Sequence, residues 1–284
     1  MKLWKTLGMT ALAAATLAGC ASYGTHAPAT KLYVLECGDI ELLDISMFQP
    51  EVPESKGQHK HLTDSCYLIV HPQGVLLWDA GLPDKLATLP DGFTAGNIAT
   101  VHVYKTLESQ LKQLGYPPAQ INYLGISHMH FDHTGNAGLV PQATLLIQQA
   151  EYDAALGTDA AKYGFKAEDY TTIRSNPVKK LNGDYDVFGD GSVVIKSAPG
   201  HTPGHQALFV KLPKTGNVLL SGDLVHYTDN WEHHRVPGFN FDRAASLKTL
   251  SDTEQFLKDN HAQLWIQHDA EQAATLKHAP AYYE

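Results

Sequence analysis

Between Ser127 and Asn136 the chain reads Ser-His-Met-His-Phe-Asp-His-Thr-Gly-Asn, placing imidazoles at 128, 130 and 133 and a carboxylate at 132. In an extended segment alternate side chains share a face, so His128, His130 and Asp132 can converge on one side. His133 breaks that alternation and reaches a neighbouring point only if the chain turns, which Thr134-Gly135-Asn136 permits. One metal ion does not readily take all four donors; two ions can share them. A His-rich loop is often no more than a solvated turn, but this spacing at the end of a predicted strand points to a metal site.

That strand is the apolar run 121–126, and the other candidate donors sit in the same kind of place. Pro199-Gly200-His201-Thr202-Pro203-Gly204-His205 follows a predicted strand over 192–197. Ser221-Gly222-Asp223 follows one over 217–220, and His268-Asp269 follows one over 263–267. Asp79 closes a strand over 75–79, where it either supports a metal ligand from outside or forms a turn. One edge of the fold therefore collects every candidate.

Further strands are predicted over 32–38, 64–70, 144–148 and 206–212, with 64–70 and 75–79 joined as a hairpin through His71-Pro72-Gln73-Gly74. Apolar positions at 103, 107, 111 and 114 predict a helix over 103–114 ended by Gly115; other helices are predicted from 151 and over 244–257. Residues 48–61 read as a surface loop, and 159–177 as helix and loop outside the core. Strand-helix-strand order predicts an α/β fold of two sheets with outer helices, four layers in all.

The 284 residues, 43% hydrophobic and 18% charged, suit a soluble globular protein with a sizeable core. A net charge of −9 and no basic cluster exclude a nucleic-acid surface. Lys2 and Lys5 precede an apolar stretch from Leu7 to Ala18, shaped like a secretory leader and too short to span a bilayer. It ends in Leu17-Ala18-Gly19-Cys20, which resembles a bacterial lipoprotein cleavage box. The expected organisation is a signal peptide over 1–19, a tether over 20–30 and one folded domain over 31–284. Cys20 would carry the lipid, and Ala21 after it suits the periplasmic face of the outer membrane. Cys37 and Cys66 are left as either a disulfide or two buried thiols.

Ser109-Gln110-Leu111-Lys112 and Lys214-Thr215-Gly216 match S-x-x-K and K-T-G, but the partner S-D-N is absent and neither falls in a suitable element. His59, His61, His233 and His234 lie in polar loops. His205 either braces the His201 loop or simply packs. Phe48, Trp231, Phe239 and Phe241 can line a pocket beside the metal site or serve as ordinary packing residues.

With these residues in place, the chain resembles the metallo-β-lactamase superfamily over about 31–284, which implies a four-layer αβ/βα sandwich. The resemblance implies that His128, His130 and His201 hold one divalent ion, that Asp132, His133 and His268 hold the other, and that Asp223 bridges them. Imidazole and carboxylate without thiolate suit zinc, and also iron, cobalt or manganese. Two such ions can share a hydroxide and lower its pKa toward about 7.

Within the superfamily the chain resembles the N-acyl homoserine lactone lactonases, through residues 130–136, 200–210 and 151–156, Tyr227-Thr228 with Asn230, Glu232, Val236-Pro237, and residues 268–272. That implies a lactone substrate, carbonyl polarisation by a tyrosine, and Asp132 carrying the proton to the leaving ring oxygen. The family's tyrosine falls three positions after the bridging aspartate, where this chain has His226; extended alternation through 223, 225 and 227 favours Tyr227. The alternatives are another hydrolase of the superfamily (a β-lactamase, thioesterase or phosphodiesterase) and a non-catalytic metal-binding protein.

Overall fold

The computed structural model describes Met1 and residues 29–284. The expected leader and Cys20 lie outside the described residues. From Lys31 onward, runs rich in Val, Ile, Leu and aromatics with two-residue alternation form strands. The first eight are β1 (Lys31–Leu42), β2 (Lys60–His71), β3 (Gly74–Trp78), β4 (Phe93–Ala95), β5 (Ala99–His102), β6 (Tyr123–Gly125), β7 (Thr144–Gln148) and β8 (Val178–Leu181). They build one sheet in the order β4-β5-β1-β2-β3-β6-β7-β8.

The remaining five are β9 (Tyr185–Asp186), β10 (Val193–Ser197), β11 (Gln206–Leu212), β12 (Gly216–Leu220) and β13 (Ala262–Trp265). They build the second sheet in the order β13-β12-β11-β10-β9. The N-terminal part of the described chain thus makes one sheet and the C-terminal part the other. Hairpin neighbours such as β2 and β3 pair antiparallel, whereas β3, β6, β7 and β8 pair parallel. Parallel neighbours need crossovers. Helices α1 (Leu107–Gln113) and α3 (Gln149–Leu156) lie on two of them; the single turn α2 (Phe131–Thr134) follows β6.

Alternation sorts the core into layers. Leu32 and Val34 of β1 face the second sheet and pack with Ile195, Leu208, Val210 and Val218, while Tyr33 and Leu35 face outward with Leu107 and Leu111 of α1. On the far side, Phe209 and Leu219 pack with Leu250 of α5 (Arg243–Asn260). Between β12 and α5 comes the short α4 (Thr228–Glu232), and α6 (Ala270–Ala273) follows β13. The arrangement is the four-layer αβ/βα sandwich.

Three expectations change. The helix predicted from 103 starts at Leu107, because Thr106 caps it by accepting Ser109 N–H at 3.3 Å and residues 99–102 extend the sheet as β5. The segment 159–177 does not lie outside the core: it is a series of tight turns that buries Phe165, Tyr170 and Ile173, with the Tyr170 hydroxyl donating to Ala155 O at 2.6 Å. The loop expected over 48–61 gives way to β2 at Lys60.

The open question of Cys37 and Cys66 closes as a disulfide. A bulge between Glu36 and Gly38 takes Cys37 out of the β1–β2 register, and this extra residue is the one bonded to Cys66. The bridge closes a separation of 29 residues, for which chain entropy gives a stabilisation of about 2–4 kcal/mol. Replacing both cysteines by serine should lower the denaturant midpoint accordingly; an unchanged midpoint would show that the bond adds nothing to stability.

Candidate metal centre

Each candidate donor follows the C-terminal end of a strand. Residues 127–133 follow β6, the 198–205 loop follows β10, Ser221–Asp223 follows β12 and His268 follows β13. Asp79, just past β3, sits at φ +57 and is fully buried. Its Oδ1 accepts Ser127 N–H at 2.6 Å and its Oδ2 lies 3.0 Å from His133 Nδ1, so it forms the turn and supports the histidine at once. The extended alternation holds through His130 and then stops, because α2 begins at Phe131 and carries Asp132 and His133 round to a second point.

Two groups of donors result. His128, His130, His201 and Asp223 each offer an atom within 4.8 Å of the others, and so do Asp132, His133 and His268. His128 Nε2, His130 Nδ1 and His201 Nε2 stand 2.8–3.1 Å apart. Asp223 lies between the groups. Its Oδ2 is 3.6 and 3.4 Å from His128 and His201 Nε2, and its Oδ1 is 3.3 and 3.0 Å from His133 and His268 Nε2.

The outer ring nitrogens are held from behind. His130 Nε2 donates to Tyr163 O at 2.8 Å and His268 Nδ1 to Thr63 O at 2.7 Å. His201 Nδ1 lies 3.0 Å from Asn240 Oδ1, His133 Nδ1 is held by Asp79, and His128 Nδ1 meets Ser127 Oγ at 3.1 Å. Anchoring one nitrogen fixes the tautomer and turns the other lone pair inward. Unshared electron pairs thus crowd into a buried space, and His133 Nε2 and Asp223 Oδ1 are buried there without a hydrogen-bond partner. Such a space fits divalent cations.

Burial, reinforced by neighbouring imidazoles, pulls His128 and His201 well below the usual histidine range. Burial also acts against charge on His133 and His268, but the carboxylates, Asp223 foremost, prevail: His133 is held well above its ordinary value and His268 at about 9. Asp223 stays well below the usual carboxylate range despite burial, because His268, His133, His226 and His128 surround it. His205 is a brace: Nδ1 donates to Ala198 O at 3.0 Å and Nε2 accepts Asp223 N–H at 2.8 Å.

The alternation that favoured Tyr227 does not survive. Gly222 at φ +52 opens a turn over Gly222–Leu224, so positions 223, 225 and 227 share no strand face. Tyr227 packs instead with Ile40, Leu42 and Phe48, its hydroxyl buried without a partner and pushed up to about 12 by burial. His226 takes the inner position, with Nε2 3.2 Å from Asp223 Oδ2 and its ring edge-on to Phe48. It lines a cavity of about 290 Å³ that has Ile40, Leu42, Phe48, Phe131 and Phe239 as apolar wall and the donor cluster, Asp132 included, as floor. Trp231 and Phe241 face elsewhere, Trp231 against the α5 layer and Phe241 on Tyr163. Ser109 and Lys112 are exposed on α1, and Lys214 pairs with Glu284 far from both. Sequence reasoning missed Thr63, Tyr163 and Asn240; two act through backbone carbonyls, which no side-chain pattern announces.

The sequence profile of the metallo-beta-lactamase superfamily matches residues 62–256. The chain belongs to the metallo-beta-lactamase superfamily. Among its superfamily relatives, N-acyl homoserine lactonase AttM of Azorhizobium caulinodans is 32% identical over 267 residues, covering 89% of this chain and 98% of the relative. An N-acyl homoserine lactonase of Bacillus thuringiensis is 30% identical over 261 residues, with the same coverage. A solved N-acyl homoserine lactone hydrolase, with the product N-hexanoyl-L-homoserine at its catalytic metal center, superposes with a TM-score of 0.76 at 29% identity, over 89% of this chain and 99% of that one. With relatives at 30–32% identity that are lactonases and a His/Asp donor cluster in place, this chain is a metal-dependent hydrolase.

Removing metal should therefore destabilise the fold. An ion held at a thousand times its Kd stabilises by about 4 kcal/mol, or roughly 10 °C of Tm for a domain of this size. Dialysis against a strong chelator should lower Tm and readdition of zinc restore it; a Tm that ignores the chelator would count against the cluster as a metal centre.

Proposed function

We propose that the chain opens the lactone ring of N-acyl homoserine lactones to the hydroxy acid, and so quenches quorum signals. The observation that carries this reading is the apolar cavity whose floor is the donor cluster, since an acyl lactone has one end of each character. A second cavity of about 530 Å³ shares Val101 and Phe131 with the first, leaving room for an acyl tail. The names of the relatives, lactonases at 30–32% identity, support the same substrate class.

His128, His130 and His201 would hold one divalent ion, Asp132, His133 and His268 a second, with Asp223 shared; zinc suits these donors best. Bound there, the pair supplies Lewis acidity and a water that ionises near neutral pH. The chain's own groups do the rest. The apolar wall orients the acyl end and excludes water. His226, which lines the cavity with Nε2 3.2 Å from Asp223 Oδ2, donates to the carbonyl oxygen as it gains negative charge, the part that extended alternation gave to Tyr227. Asp132 holds the proton at a carboxylate oxygen and returns it to the leaving ring oxygen.

Export belongs to the same proposal. The leader-like residues before Cys20 and the Cys37–Cys66 bond both suit an oxidising envelope compartment, with the chain anchored through lipid on Cys20.

Full chain incubated with acyl homoserine lactones of several lengths should release acid in a chelator-sensitive way. Turnover of β-lactams, thioesters or phosphodiesters alone would assign a different substrate. His226→Ala should lower kcat about 100-fold with zinc content unchanged, and Tyr227→Phe should leave kcat near wild type; the reverse pattern would return the role to Tyr227. Cys20→Ser should move the protein from the membrane fraction to the soluble one, and a chain still sedimenting with membranes would remove the lipid anchor.

A further inference from the structure

Helix α3 supplies none of the candidate ligands, yet its first turn carries a fully buried acid, Glu151. No cation pairs with it among the described residues. Its carboxylate is instead divided between two loops. Oε1 accepts the N–H of Met129, the residue between His128 and His130, at 2.9 Å. Oε2 accepts the Thr202 hydroxyl and the Gly204 N–H, each at 2.8 Å, on the loop that carries His201. The loop lies hard against the start of α3: a Cβ on Gly204 would stand 2.3 Å from Glu151 N.

All three histidines of the first donor group therefore come from two loops fastened to each other by one side chain. His128 and His201 are 73 residues apart in sequence. Glu151 makes no hydrogen bond to the second group; there Asp79 holds His133 and the Thr63 carbonyl holds His268.

We propose that Glu151 is a positioning residue that sets the affinity of the His128, His130, His201 and Asp223 site for its divalent cation and leaves the Asp132, His133 and His268 site alone. The inference rests on the metal reading given above. A carboxylate can accept from all three donors, whereas a glutamine in its place offers one acceptor oxygen and turns an NH2 toward donors. The two loops then keep the ties from Gln206 N and Nε2 to Ser127 O and Ile126 O at their base, but lose the anchor nearest the histidines and with it the spacing of the three nitrogens. Loss of such a supporting contact typically weakens metal binding 10–100-fold.

The test is zinc affinity of the full chain by competition with a chromophoric chelator, with Glu151→Gln placed in two backgrounds. In His268→Ala, which leaves the first site, it should weaken the remaining zinc about 10–100-fold; in His201→Ala, which leaves the second, it should change nothing. Tyr170→Phe, which removes a bond to Ala155 near the end of α3, should have no effect in either background. Equal weakening in both backgrounds, or none in His268→Ala, overturns the proposal while the metal reading stands; a wild-type chain that holds no zinc overturns both. If Glu151→Gln does not fold by circular dichroism, Thr202→Val removes one of the three contacts, and the same difference between backgrounds decides.

Discussion

Asp223 carries the tightest constraint in the molecule. A single carboxylate, fully enclosed, presents one oxygen to each of two sets of imidazoles. Burying that many polar atoms side by side is costly unless each direction is satisfied. The surrounding backbone is shaped to meet that demand: His205 grips the Asp223 amide, and Gly222 adopts a positive φ in a spot where a Cβ would stand 2.7 Å from His205 Nε2. The sandwich can be understood as the frame that lets five strand ends meet around this residue.

A division of labour follows from the layer order. The inner faces of the two sheets are aliphatic and rigidly interleaved, so they fix where each strand ends. Chemistry is left to the loops just beyond. The N-terminal sheet supplies Asp132 and three of the histidines, and the C-terminal sheet supplies His201, Asp223 and His268. The apolar wall comes mostly from β1 and its neighbours, with Phe239 from the loop before α5. Wall and ion donors thus rest mostly on different elements, and Phe131 on α2, beside Asp132 and His133, is where the two meet.

Much of this was legible in the sequence because it depends on local periods. The hairpin of β2 and β3, strands β10 to β13 of the second sheet and helix α5 announce themselves by spacing, whereas the two-residue β9 does not, and the donor positions stand out because each follows a strand. The failures share a cause: irregular backbone. Phe165, Tyr170 and Ile173 are buried at intervals of five and three residues, which match neither a helix nor a strand because the segment is a chain of tight turns. The strand alternation expected through 223, 225 and 227 is broken by Gly222; a glycine beside the key aspartate was the available turn signal. Val103 continues the apolar stripe of α1 from outside the helix, and Thr106, a plain capping residue, marked the true start.

The assignment of one sheet to each half of the chain also governs how the donor groups are completed. Along the chain the donors of His128–His133 come well before His268. Until β13 docks beside β12 in parallel register, Asp223 has neither its His268 neighbour nor a finished enclosure. The second donor group is therefore complete only when a strand from the last part of the second sheet has taken its place beside β12.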